Sequence, residues 1–319
     1  MINIFYLSGN TTGGWVTFTY HLVKSLESQG EDVRLFKIGK NTERTLRPFG
    51  YDLHYQNIAL EDAVELSGRT LIAAAAKNFR EAAAVLIENG AKLVLHDPTE
   101  LRAGLAGLDI DRPWVIRKAV QAQVPGSVFI RHPYVRHGWP AKPPKRNGVI
   151  ATSRIDFDKN TIMILDANRL GAKIKIHGFE NRLYTRFKVC PNYPEWEQSI
   201  AAYPRTPEAA FELLLAAKAM TDLSDIKGDG GGTQYTFLEA WDAGCIPIIG
   251  KWWLRKNDDM ESGKNCLAIE DAEHLADTCR LMRSSAHDFD FITEGGFKAL
   301  KRHRPTVIVP QVLEWLHDS

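Results

Sequence analysis

The stretch GDGGGTQYTFLEAWDAGCIPIIG, Gly228 to Gly250, decides how this chain is read. TFLEAWDAG reads as a helix and CIPIIG as the strand after it. The three glycines Gly230, Gly231 and Gly232 precede that helix. Glycines there leave backbone N–H groups unshielded at a helix N-terminus, where a phosphate or an electron-rich sugar oxygen can sit. Glu239 falls within the first turns, and its carboxylate can accept the two hydroxyl hydrogen bonds that a nucleotide ribose offers. The plainer reading of the same residues is a loop before an ordinary helix carrying a surface Glu.

Working outward, the second half alternates in the same way. GVIATS is a strand, NTIMILDANRLG a helix, AKIKIHG a strand, PEAAFELLLAAKAM a helix and TDLSDI a strand. The first half repeats the pattern. INIFYL is a strand that runs into SGNTTGG, followed by a helix closing on Gly30; DVRLFKIG, TLIAAAA and AKLVLHD are strands, and FREAAAVLIENG is a helix. Strands alternating with helices imply parallel sheets covered on both faces. GWPAKPPKRNG, residues 138–148, concentrates Pro, Gly and charge as a linker does. The expected organisation is α/β, with two doubly wound domains, 1–146 and 147–319, and a site in the cleft where the carboxyl ends of their strands face each other. The amphipathic tail carrying Val312, Leu313, Trp315 and Leu316 needs a surface, and crossing back to the first domain would supply one.

The composition excludes several classes. With 319 residues, 44% hydrophobic and 25% charged, the chain has the make-up of an ordinary globular protein of about two domains. A net charge of +1 excludes a uniformly basic polyelectrolyte but not a local basic stripe. Cys190, Cys245, Cys266 and Cys279 show no C-x-x-C spacing, and no leader or membrane-spanning run is visible, so a cytoplasmic location is expected, in the host cell if the protein is viral.

Taken with its Gly-rich loop, LEAWDAGCIPII is similar to the nucleotide-sugar half of retaining GT-B glycosyltransferases. More narrowly, YTFLE followed by GCIPI resembles the bacteriophage DNA α-glucosyltransferases, which modify hydroxymethylated pyrimidines in DNA. The resemblance implies a GT-B fold of two Rossmann-like domains, an acceptor-side N-terminal one and a nucleotide-sugar C-terminal one. It also implies a UDP-sugar donor, UDP-glucose by preference, and transfer with retention. Arg154 and Lys159 match the cations such enzymes place after the first strand of the second domain to hold the donor diphosphate. Fixed cations stabilise the charge that grows there as the sugar leaves. Gly13 and Gly14 match the glycine turn near the donor; with Gly9 they do not make G-x-G-x-x-G, which disfavours a nicotinamide enzyme. His96 and Asp97 match a His-Asp pair, His96 bonding a sugar or acceptor hydroxyl and Asp97 orienting or accepting a proton, or else forming a buried structural His beside a turn Asp. Where many relatives carry a second Glu, eight positions before Glu239, this chain has Gly231. Asp229 is the nearest acid, and Thr233 completes the donor set.

The acceptor reading rests on charge. Nine cations and no Asp or Glu lie between Arg112 and Arg154: Arg112, Arg117, Lys118, Arg131, Arg136, Lys142, Lys145 and Arg146 precede Arg154 itself. Trp114, Phe129, Tyr134, Trp139, His132 and His137 are interleaved. Cations for phosphates and rings for bases are what a nucleic-acid surface needs. The alternative is a solvated face with its rings turned to the core. No zinc spacing occurs. D-x-D occurs at Asp109/Asp111, Asp156/Asp158 and Asp288/Asp290, and donor binding without a required divalent metal is expected. Two other functions stay open: a retaining transferase acting on a glycan or lipid-linked acceptor, and a non-catalytic nucleotide or nucleic-acid binding module.

Overall fold

The computed structural model describes residues 1–9, 13–38, 53–97, 100, 104–196, 200–201, 206–225, 233–254, 259–284 and 289–317. The chain divides into two compact units, the first built from Met1–Val135 with Lys301–Ser319 and the second chiefly from Arg136–Lys227 and Gly232–Leu300.

The first unit carries β1 (Ile2–Leu7), β2 (Val33–Ile38), β3 (Gln56–Ile58), β4 (Arg69–Ala75), β5 (Lys92–Leu95), β6 (Trp114–Val115) and β7 (Val128–Phe129), in the order β3-β2-β1-β4-β5-β6-β7. The second carries β8 (Val149–Ala151), β9 (Lys175–His177), β10 (Ile200–Ala201), β11 (Ala219–Asp222), β12 (Ile246–Gly250) and β13 (Leu267–Ile269), in the order β10-β9-β8-β11-β12-β13. Among the described residues every strand pair is parallel. β1 and β12 lie fully buried, which is why, Asn3 apart, they read as near-continuous apolar runs rather than as alternating ones. In each sheet the order reverses beside the first strand, between β1 and β4 and between β8 and β11. Such a switch point opens a crevice at the carboxyl ends of the two strands.

One expected helix is shorter than its pattern. PEAAFELLLAAKAM forms a helix only over Pro207–Ala216, started by the Thr206 side chain accepting from the Ala209 N–H. Ala219 and Met220 belong instead to β11, paired with β8 on one side and β12 on the other. Ala and Met favour helix locally, but a central strand bonded on both edges overrides that preference. The strands β3, β6, β7, β10 and β13, of two or three residues, are too short to show a period.

Residues 136–146 run along the second unit without forming helix or strand. They are held by the helix Tyr235–Asp242, whose Asp242 carboxylate is wholly buried. It accepts from the Arg136 Nε at 2.5 Å and from the His137 backbone N–H at 2.7 Å, while the Trp139 indole donates to the Asp242 carbonyl at 2.7 Å. Arg146 donates to the carbonyls of Ala243 and Gly244, closing the end of that helix, where Gly244 turns at φ +65°.

The helix Pro305–His317 packs on the helix Gly14–Ser28 and on β4. Trp315 is its anchor. The ring is buried edge-on against Trp114 at 5.5 Å, its N–H donates to the Arg112 carbonyl at 2.8 Å, and its carbonyl accepts from Lys92 at 2.6 Å. Among the described residues, no helix is long and apolar enough to cross a membrane. Trp315→Ala is expected to destabilise the first unit by about 3–5 kcal/mol, the usual cost of deleting a large buried ring. Urea unfolding followed by near-UV circular dichroism checks this, and a loss well under 1 kcal/mol would mean that the tail does not depend on this anchor.

Candidate functional site

In the second unit, chemistry gathers at the switch point. Lys159 follows β8 and donates from Nζ to Ser224 Oγ at 2.7 Å; Ser224 Oγ in turn donates to Asp222 Oδ1, which also accepts the Ser224 N–H at 3.0 Å. Asp222 ends β11, and its second oxygen takes a hydrogen bond from Thr236 at 3.3 Å. The loops after β8 and β11 are tied by Asn160 to the Leu223 carbonyl at 3.0 Å and by the Asp225 N–H to the Asp158 carbonyl at 2.9 Å. Asn160 adopts a left-handed φ of +46°, which turns the chain into the helix Thr161–Arg169. Lys159 is therefore a positioned cation at the crevice. Sequence reasoning named it but missed Asp222, Ser224 and Thr236; the signal for the first two was the TDLS run, directly after the apparent helix.

Arg154 sits at the same edge in an exposed ion pair, to Asp156 at 2.9 Å and Asp158 at 3.3 Å. Its side chain is 57% exposed. An exposed pair of this kind is worth about 0–1 kcal/mol, so a competing anion can take the guanidinium over at little cost. The D-x-D pair here serves as the partner of an arginine.

Thr236 and Glu239 are three apart and share one face of the helix Tyr235–Asp242. Burial pushes the Glu239 carboxyl up to about 8, and the Asp242 charge pushes in the same direction. No hydrogen bond from a described residue reaches that carboxyl. It is therefore protonated near neutral pH until donors such as vicinal hydroxyls arrive. Thr233 is buried, with its hydroxyl donating to Asp259 at 2.7 Å, so its side chain is committed inside the fold. Asp229, Gly230, Gly231 and Gly232 lie outside the described residues.

In the first unit, Gly13 and Gly14 are exposed at the start of the helix after β1, and Gly13, at φ +103° and ψ −173°, takes a conformation that only glycine adopts readily. His96 follows β5. It is buried edge-on against Phe18 at 4.8 Å and Trp15 at 5.8 Å, and burial lowers its pKa to about 4. Its Nε2 lies 2.9 Å from the Ala73 carbonyl. A carbonyl only accepts, so Nε2 carries the proton and Nδ1 keeps its lone pair. The ring can take a hydrogen bond from a hydroxyl but does not supply a proton at neutral pH. Glu100, absent from the sequence reading, accepts the His96 backbone N–H at 2.9 Å, and burial followed by the Asp97 charge pushes its carboxyl up to about 8.

The cations of the expected nucleic-acid surface divide between exposed positions and positions engaged within the fold. Arg117 is turned inward against Asp97 and Glu100, and burial lowers its pKa to about 10. Arg136 and Arg146 are bound to the helix Tyr235–Asp242, as described above. Arg117 and Arg146 are thereby engaged within the fold, whereas Arg136 pairs with Asp242 through Nε while its side chain stays 41% exposed. Of the interleaved rings, Trp114, Tyr134 and His132 are core. Lys118, Lys142, Lys145 and Arg112 are exposed, and Arg131 is half-buried above the Phe129 ring at 5.1 Å.

The sequence matches no protein-family model and no curated protein. Solved structures do match over the whole chain. An alpha-glucosyltransferase (AGT) in complex with UDP aligns at TM-score 0.74 and 14% identity, covering 99% of both chains. The same enzyme with UDP-glucose and DNA containing an abasic site aligns at 0.74 and 15%, again over 99% of each. Anabaena Alr3699/HepE in complex with UDP-glucose aligns at 0.69 and 16%, over 100% of each. The chain has the GT-B fold. The two parallel sheets with matching strand orders are the two halves of that fold.

The raised carboxyls set a sign for stability against pH. Unfolded, Glu100 and Glu239 ionise near 4.5; folded, they hold their protons to about 8. Stability is greatest below the lower value and falls as pH rises through the upper one. The melting temperature is thus expected to drop between pH 5 and 9, and Glu100→Gln or Glu239→Gln each to flatten part of the drop; calorimetric slopes identical to the parent's in both variants would contradict the burial argument. Arg136→Ala leaves the Asp242 carboxylate buried and short of a partner, and is expected to lower the unfolding free energy measured by urea by about 1–3 kcal/mol.

Proposed function

We propose that this chain is a retaining glycosyltransferase that moves a hexose, glucose by preference, from a UDP-sugar to the hydroxymethyl group of a modified pyrimidine in DNA. The observation that carries the reading is the fixed Lys159 at the β8/β11 switch point, beside the readily freed Arg154. A diphosphate gains charge as its sugar departs, so cations already in place stabilise the transition state more than the ground state. Lys159, held by Ser224, needs no reorganisation to do this. On this reading donor binding requires no divalent ion. Arg154 exchanges Asp156 and Asp158 for phosphate oxygens.

Glu239 receives the ribose hydroxyls. Two incoming donors favour its ionised form, so UDP binding releases a proton. Affinity then rises with pH until the carboxyl is ionised in the free protein, near 8. In the first unit, His96 Nδ1 accepts from a sugar or acceptor hydroxyl, Asp97 orients it, and Gly13 and Gly14 let the donor approach their backbone closely. Leaving phosphate and entering hydroxyl share one face of the sugar, which gives retention without a protein nucleophile. Arg112, Lys118, Arg131, Lys142 and Lys145 remain as phosphate contacts for the acceptor. DNA is favoured as acceptor because GT-B neighbours of this chain were solved with both UDP-glucose and DNA.

Labelled UDP-glucose incubated with hydroxymethylated duplex DNA tests the proposal. Transfer is expected, retained in EDTA and reduced about 10²–10³-fold in kcat/KM by Lys159→Ala, with a smaller loss for Arg154→Ala. No transfer to modified DNA from any nucleotide sugar removes the DNA acceptor. Transfer that survives both substitutions removes the diphosphate clamp. Calorimetric UDP binding that ignores pH between 6 and 9 removes the role given to Glu239.

A further inference from the structure

The most exposed large apolar side chains among the described residues gather in one place. Phe187 is 64% exposed, Leu183 63% and Phe157 60%. Leu183 and Phe187 lie on the short helical segment after β9, Arg182–Tyr184 continuing as one π-helical turn over Thr185–Val189. Phe157, in the loop after β8, joins them through Tyr184, ring against ring at 5.0 Å. Exposed apolar clusters are uncommon on a monomer's surface and mark contact sites.

The patch is also basic. Arg182, Arg186 and Lys188 are exposed on the same segment, and no Asp or Glu occurs between Asn181 and Pro194. The Arg186 guanidinium lies over the Phe187 ring at 5.4 Å, a platform with a charged edge. The segment is held firmly from below: Tyr184, Thr185 and Val189 are buried, and the Asn181 side chain accepts from the Leu183 and Tyr184 N–H groups at 3.1 and 3.3 Å. Asn181 also donates to Asp156 at 2.9 Å, the carboxylate that pairs with Arg154. The patch therefore adjoins the proposed diphosphate clamp. Cations for a phosphate backbone and an unstacked ring to rest on or wedge beside a base are what a nucleic-acid partner takes up. Of the two anionic partners such a patch suits, duplex DNA is favoured over a lipid surface because the segment adjoins the clamp whose proposed acceptor is DNA.

We infer that the segment Arg182–Val189, with Phe157, is a duplex DNA-binding surface in which Arg182, Arg186 and Lys188 meet backbone phosphates and Phe187 rests against a base. This rests on the DNA acceptor proposed above, and it places the main contact on residues that the charge pattern of the linker did not indicate.

The test measures retention of a fluorescent duplex by the full chain across a salt series, with the melting temperature reporting that each variant folds. Replacing Arg182, Arg186 and Lys188 together by Ala is expected to shallow the log K against log salt slope by about 2–3, one phosphate contact being worth about 0.9. Phe187→Ala is expected to weaken binding about ten-fold with the slope unchanged, as loss of a stacked base does. A parent chain that binds duplex but loses neither slope nor affinity in these variants overturns the inference and leaves the DNA acceptor standing. A parent that binds no duplex at low salt overturns both. Binding of the parent to phosphatidylglycerol vesicles, lost in the triple variant while duplex retention is kept, overturns it in favour of a lipid surface.

Discussion

Among the described residues all strand pairing in both sheets is parallel, and the remaining features of the molecule follow from that constraint. A parallel pair cannot be closed by a tight turn, so each connection must cross over a face and every strand ends at the same edge. The loops that follow β8, β9 and β11 are thereby collected at one rim. Lys159, the Arg182–Val189 segment and Ser224 come from these three loops, although up to 65 residues separate the bonded pair Lys159 and Ser224.

The charged groups at that rim differ in how firmly they are placed. Lys159 is bonded to a serine that is itself bonded to a buried carboxylate, whereas Arg154 rests in a solvent-exposed pair. A network of the first kind keeps its geometry when a ligand arrives. A pair of the second kind is weak enough to exchange partners. Burial works in the opposite sense on the carboxyls. Glu239 and Glu100 are both pushed up to about 8, so each holds its proton near neutral pH.

Basic residues that look alike in the sequence have divided into separate roles. Arg117 is turned toward Asp97, Arg136 pairs with the buried Asp242, and Arg146 closes the helix that carries Glu239. Their spacing in the chain carries no information about this, because each partner lies far away in sequence. Asp242 is 106 residues from Arg136. The exposed Arg182, Arg186 and Lys188 show the converse. They form no long run in the chain and become a patch only because Tyr184 and Val189 are buried beneath them.

The alternation of apolar runs with helical periods was enough to determine two doubly wound α/β units, since burial on both faces leaves a local signature in each strand. Lys159 and Arg154 stood out in the sequence only through the family resemblance, and Glu239 through its place in the first turns of a helix after glycines. Tertiary structure alone decided that Ala219 and Met220 are strand, that Asp222, Ser224 and Thr236 support the lysine, and which cations face outward. Each of those outcomes depends on hydrogen bonds or burial supplied by distant segments, and no local pattern records a partner that only folding brings near.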